Sequence, residues 1–425
     1  MIMNDWLKSG FANMWLPYTQ MQNCKLPLAV KKTKASYIYL EDGRKLIDGI
    51  SSWWSVSHGY NHPYIQKKMA AQLKKMPHIM LAGLANKPAY NLAENLVDFI
   101  NSNKPSLEDK LEKVFFSDSG STAVEVALKI AVQYFLNQGI KRPKIIAFEN
   151  SYHGDTMAGM SLSDPKNGMH KKFKDYLPKE LICKFPQSSS DLLIFEKFLS
   201  KNSAKAAALI MEPLIQCAGG MVFHKPDMLD KIARLCRKYN ILLIFDECAV
   251  GFYRTGKRFA YHHSKITPDI LILGKALTGG FVTLAATITK SKIFNEFLDD
   301  SLDKALMHGP TFMGNALACS AANASLELFK KYNYAAYSLQ LEKLFKKYLK
   351  NLNKNNNVQE VRILGAVAVI ELKKISWSET LKLREDFINL GVWLRPFSNV
   401  IYLMPPLNIA KKDIEKLCNA IIKLL

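Results

Sequence analysis

Apolar residues in the middle of this chain fall in short unbroken runs, without the strict alternation of a half-exposed strand. KVFFSD, KIIAFE, AAALIMEP, ILLIFDE, DILILGK and LAATIT follow one another between Lys113 and Thr289. Such runs predict strands buried on both faces. Helical periodicity separates several of them, from about Ser121 to Asn137 and from Pro226 to Tyr239. Strands alternating with helices of this length predict an α/β fold, with a mostly parallel central sheet and crossover helices. From about Gly314 the pattern changes. A strongly helical stretch runs to Tyr348, followed by VRILGAVAVIELK, a helix from Trp377 to Leu390, VIYLMPP and a final helix to Leu425. This second pattern predicts a smaller α+β domain. Three parts are therefore expected. Residues 1–60 form an N-terminal segment contributing to the small domain and the active site, 61–313 the large domain, and 314–425 the C-terminal small domain.

In parallel sheets, ligands collect at the carboxyl ends of the strands. Asp246, Lys275 and the loop Ser117–Ser121 all fall at such ends. Asp246 closes the run ILLIFD, where a buried carboxylate is costly unless something positive meets it. Ser119-Gly120-Ser121 opens a helix, whose first N–H groups and dipole attract an anion. Taken alone that loop is an ordinary N-cap. Lys275 stands between apolar residues and a Gly pair. An amine in such surroundings is easier to deprotonate and can join an aldehyde as a Schiff base. An anion cradle, a buried acid and a strand-end lysine together match pyridoxal 5′-phosphate (PLP), with Asp246 facing the pyridine nitrogen. Glu247 reads as a structural partner or a neighbour of Arg254.

The net charge of +21 raises the question of nucleic acid, and composition answers against it. Of 58 basic residues, 49 are Lys, spread over the whole length with no aromatic interleaving. Sequence readers lean on Arg and cluster their charge. Solvated Lys-rich faces account for the excess, and no nucleic-acid partner is expected. The seven cysteines are scattered, with neither a CxxC pair nor a ligand spacing. They read as free thiols in a reducing cytosol, with no metal site. No stretch has the apolar length of a membrane span or the pattern of a signal peptide, so a cytoplasmic protein without membrane contact is expected.

Three ordered motifs, DECAVGFYRTG, PDILILGKALTGG and HGPTFMGNALAC, resemble the class III PLP-dependent aminotransferases of fold type I, and the resemblance covers nearly the whole chain. WLPYTQM, DGISSWWSVSHGYNHP, SYHGDTMAGMS and VWLRPFSNVIYLMPP are narrower. They resemble the members of that family that move an amino group from S-adenosylmethionine to 8-amino-7-oxononanoate in biotin synthesis. The resemblance implies a homodimer with shared active sites and ping-pong kinetics. It implies Lys275 as the residue joined to PLP, Asp246 at the ring nitrogen, and Gly120 and Ser121 on the phosphate. Pro310 and Thr311 would reach the same phosphate from the other subunit, with Gly309 beside the substrate. Tyr152 would lie near ring and substrate, with His153 as a stacking neighbour. Trp53, Trp54 and Tyr18 would wall the substrate pocket, Tyr18 also joining the catalytic group. Arg395 would grip the oxononanoate carboxylate, with Phe397 beside it.

Some of these roles have independent physical support. Arg395 is one of only nine arginines and sits in an apolar, Pro-flanked stretch where a planar fork suits a carboxylate. Adjacent residues of a strand face opposite sides, so Trp53 and Trp54 could both be core only if both faces were covered. Three other readings stay open. One is lysine as amino donor, and another is an ω-aminotransferase acting on ornithine, 4-aminobutyrate or a similar amine. The third is a basic binding protein without catalysis. The chain also departs from the family pattern at Ala249-Val250, Tyr253 and Cys217, near the Asp246 loop.

Overall fold

A computed structural model describes residues 5–102, 110–165 and 168–425. Residues 1–4 of the expected N-terminal segment lie outside it. The main sheet has seven strands, in the order Leu111–Ser117, Ala285–Lys290, Ile270–Leu273, Leu242–Asp246, Ala206–Met211, Lys144–Phe148 and Leu181–Cys183. Only Ala285–Lys290 runs against its neighbours among these strands. The unbroken apolar runs are thereby explained. Leu243, Phe245, Leu271 and Leu273 enter one core cluster, whereas Leu242, Ile244, Ile270 and Ile272 enter another. These two central strands are covered on both faces.

The helix Gly120–Leu136 covers one face, burying Ala123, Val124, Ala127 and Ala131 against the sheet. Pro226–Lys238 packs near the neighbouring strand Leu242–Asp246 and buries Met228, Leu229, Ile232 and Cys236, an i, i+1, i+4, i+8 stripe. Its Pro226 stands in the first turn, where a missing N–H does no harm.

A second sheet of three antiparallel strands, Val358–Leu364, Val367–Leu372 and Val400–Leu403, forms the C-terminal part. The helix Tyr334–Leu349 packs beside it, and Lys411–Leu424 packs on that helix and on Trp377–Asn389. Helix Ala316–Lys331 packs elsewhere, on Pro63–Leu73 and Lys87–Asn101. The N-terminal strands Val30–Lys34, Tyr37–Leu40 and Lys45–Asp48 join the C-terminal part, because Lys45–Asp48 pairs in parallel with Val392–Trp393. Tyr37 adds a bond from its hydroxyl to Asp413 Oδ1 at 2.6 Å. Among the described residues no helix is long and apolar enough to cross a membrane.

One local conformation departs from the alternation expected at Trp53-Trp54. Ser51, Ser52, Trp53 and Trp54 all have positive φ, at 52°, 45°, 53° and 74°. They form a turn of left-handed helix in place of a strand. This conformation costs about 1–2 kcal/mol for each residue bearing a Cβ, so the surrounding structure must hold it.

Candidate active site

The ends of several strands enclose a cavity of about 500 Å³. That size suits a small cofactor with a substrate beside it. Trp54, Gly120, Ser121, Asp246 and Lys275 line it, as do Tyr152 and His153 from the loop after Lys144–Phe148. The sequence-predicted residues from 120 to 275 thus converge on one space. Lys275 follows the strand Ile270–Leu273 and takes a left-handed φ of 41°. Its Nζ lies 5.3 Å from the Trp54 ring centroid.

Asp246 is buried at the end of its strand. Its Oδ1 accepts the Cys248 N–H at 3.1 Å, and its Oδ2 lies 2.9 Å from His153 Nδ1. Burial alone would raise its pKa. The His153 bond, the charges of His153 and Lys275 and the Cys248 N–H outweigh burial and hold it below the usual carboxylate range. Asp246 therefore enters the site ionised. His153 was expected as a stacking neighbour, and the structure ties its ring to Asp246 in a bond that sequence did not reveal. Its other ring nitrogen, Nε2, is buried without a hydrogen-bond partner among the described residues.

The anion cradle is assembled by two glycines. Ser119 Oγ caps the helix by accepting the Thr122 N–H at 3.3 Å. The Gly120 and Ser121 N–H groups belong to the first turn, which has no intrahelical acceptor. A Cβ at Gly120 would come within 2.9 Å of Cys248 Sγ. Gly154 has φ +100°, and a Cβ there would lie 2.1 Å from Ser121 Oγ. These residues fit PLP: N–H donors for a phosphate, an ionised acid for a ring nitrogen and an amine for an aldehyde face the same cavity.

At the mouth, Tyr18 donates to Asp155 Oδ2 at 2.6 Å and meets Tyr152 OH at 3.2 Å. Burial and this bond raise the Tyr18 pKa, and burial followed by the Tyr18 contact raises that of Tyr152. Both hydroxyls stay protonated. Asp155 also holds His170 Nε2 at 2.9 Å. Sequence reading passed over Asp155, although it directly follows the quoted Tyr-His-Gly. Its available signal was the preceding Gly154, which takes a positive φ of 100°.

Arg395 lies with its guanidinium carbon 4.9 Å from the Trp53 ring, and Trp53 meets Tyr18 edge-on at 6.1 Å. Burial lowers the Arg395 pKa against the fields of Tyr402 and Tyr18. Phe397 packs on Tyr402, which meets Trp54. Gly309, Pro310 and Thr311 do not join this group, and the cavity of their own chain is lined without them.

Two buried carboxylates support the site. Glu212 accepts the N–H groups of Tyr152 at 3.2 Å and Cys217 at 2.9 Å, and burial pushes its pKa up to about 7. Glu247 accepts those of Ala260 at 2.7 Å and Tyr261 at 2.8 Å, with its pKa pushed up to about 8 by burial. It is a structural partner, bound to backbone and not to Arg254. Arg254 is fully buried. Its Nη1 donates to the Pro405 carbonyl at 2.5 Å.

Comparison with known proteins extends the pattern. The Aminotransferase class-III family profile matches residues 18–425. The adenosylmethionine-8-amino-7-oxononanoate aminotransferase of Buchnera aphidicola subsp. Schizaphis graminum is 42% identical over 420 residues, covering 97% of this chain and 95% of that protein. The enzyme of the same name from Methanocaldococcus jannaschii superposes with a TM-score of 0.92 at 34% identity, over 99% of this chain and 98% of that one. An amine transaminase from an uncultivated Pseudomonas species, solved in a PLP-bound form, gives 0.88 at 26% identity, over 96% and 97%. The strand-end lysine and acid therefore have a family context, and the chain belongs to the class-III aminotransferases, which are PLP-dependent transaminases.

Proposed function

We propose that this enzyme transfers the amino group of S-adenosylmethionine to 8-amino-7-oxononanoate, giving 7,8-diaminononanoate, as the names of its relatives state for them. One observation carries the reading. Two adjacent indoles link the amine of Lys275, 5.3 Å from Trp54, to the guanidinium of Arg395, 4.9 Å from Trp53. An oxo acid fits that arrangement, with its carbonyl at Lys275 and its distant carboxylate on the Arg395 fork.

PLP held here supplies an aldehyde for the amine and a ring that accepts the electron pair left at the substrate carbon. The chain's own residues do the rest. Gly120 and Ser121 bind the phosphate, and the ionised Asp246, held by His153, keeps the ring nitrogen protonated. Lys275 Nζ takes the proton from the donor carbon and returns one to the acceptor carbon. Tyr18 and Tyr152 orient the substrate from the mouth, where Asp155 holds the Tyr18 hydroxyl. Trp53, Trp54 and Phe397 exclude water along the acceptor's alkyl chain. Gly309, Pro310 and Thr311 do not line the cavity of their own chain, which supports a homodimer in which they complete the partner's site.

A half-reaction tests donor and reaction together. The PLP-loaded protein is mixed with S-adenosylmethionine alone and its visible absorption followed. Loss of the yellow band, and its return on adding 8-amino-7-oxononanoate, is expected. A band that persists with S-adenosylmethionine but bleaches with lysine or an ω-amino acid overturns the donor.

A further inference from the structure

We infer that Asp48 is a positioning residue for the transamination, whose buried carboxylate holds the left-handed turn Ser51–Trp54 and so aims both indoles at the substrate. The inference rests on the reading of Trp53 and Trp54 as substrate walls. Asp48 ends the strand Lys45–Asp48 and is fully buried. Its Oδ1 accepts the Ile50 N–H at 2.8 Å, and its Oδ2 accepts the Ser52 N–H at 3.0 Å and the Tyr60 hydroxyl at 2.6 Å. Tyr60 OH lies 2.6 Å from Ser52 Oγ as well. On the far side, Ser51 Oγ donates to the Met404 carbonyl at 2.8 Å.

Nothing in the turn's own sequence favours its conformation. Serine and tryptophan gain nothing at positive φ, and no glycine stands among the four residues. The hold is external, and the carboxylate supplies three of its hydrogen bonds. Burial raises the Asp48 pKa against the bonds from Tyr60, Ile50 and Ser52, and its two oxygens offer the converging donors more lone pairs than the single carbonyl oxygen of an amide. The geometry has a consequence for the pocket. Successive side chains on a helical turn stand about 100° apart, so neighbouring indoles can serve one wall. Trp54 reaches Lys275 and Trp53 reaches Arg395. Released from Asp48, the turn would relax and carry the two rings away from those partners.

The test compares Asp48→Asn with Asp48→Asn/Ser52→Gly in the cofactor-loaded enzyme, reading KM, kcat and the near-UV circular dichroism of tryptophan. Ser52 is exposed, with φ 45° and ψ 63°, where glycine sits without strain. Asp48→Asn is expected to raise KM for the oxononanoate roughly 10- to 100-fold, with a smaller fall in kcat, and to alter the tryptophan band. The added glycine is expected to restore much of both. Tyr60→Phe, which removes one donor, is expected to give a weaker version and carries the test should the Asn variant not fold. An unchanged KM and band in Asp48→Asn, or a loss that Ser52→Gly does not repair, overturns the inference. Trp53→Ala and Trp54→Ala separate the two readings. If neither raises KM, the wall assignment fails, while the band still reports whether Asp48 holds the turn.

Discussion

Gly120→Ala probes whether the start of the helix Gly120–Leu136 is the phosphate cradle. The added methyl would lie 2.9 Å from Cys248 Sγ, where unbonded heavy atoms rest about 3.5–4.0 Å apart. Gly120 does not have a positive φ, so the substitution adds no backbone strain and the overlap is the whole perturbation. The clash is relieved by moving the Cys248 thiol or by shifting the first helical turn, and it is the latter, which carries the proposed phosphate donors, that would weaken PLP binding. Overpacking of this kind costs about 1–3 kcal/mol, which corresponds to roughly a 5- to 150-fold weaker hold on PLP. The assay strips the cofactor and titrates it back, following absorbance. Cys248→Ala removes the obstructing sulfur, so Gly120→Ala/Cys248→Ala should bind PLP more tightly than Gly120→Ala, with a coupling of about 0.5–3 kcal/mol. Unchanged PLP affinity in the single variant would refute the cradle. A double variant no better than the single one would refute the wedge.

Arg395→Ala removes a charge-assisted fork worth about 1.5–3 kcal/mol. KM for the oxononanoate should rise by roughly one to two orders of magnitude, with the donor half-reaction nearly unchanged. Equal losses in both halves would place Arg395 elsewhere. His58 gives a pH signature of stability. It is buried against Tyr334 OH at 2.5 Å and Ser325 Oγ at 2.9 Å, and burial pushes its pKa from 6.5 down to about 3. Between those values the unfolded chain binds the proton and the folded one does not, so stability is intact above pH 6.5 and declines as pH falls toward 3. The loss at the acid end is at most about 5 kcal/mol. Denaturant midpoints from pH 7 to 4 should fall more steeply for the wild type than for His58→Gln, and parallel curves would refute the assignment.

The parts of this enzyme legible in its sequence are those whose signal is local. An unbroken apolar run announces a doubly covered strand wherever it stands, and the residue closing the run is at a strand end whatever surrounds it. Asp246, Lys275 and Ser119-Gly120-Ser121 could be placed on that ground alone. The strand Leu181–Cys183 gives no such signal, being three residues long and only partly buried. The bond from His153 to Asp246 spans 93 positions and depends on two strand ends meeting, which no periodicity records. The turn at Ser51–Trp54 is the sharper case, because intrinsic preference there points the wrong way. Its cause lies in a carboxylate three residues upstream, a phenol at Tyr60 and a carbonyl at Met404. Strain of this kind persists only where the surroundings over-determine it, and such places cluster at functional sites. The departure from local preference is therefore informative in itself: it lies on the proposed substrate wall, where the fold brings two indoles between a lysine and an arginine.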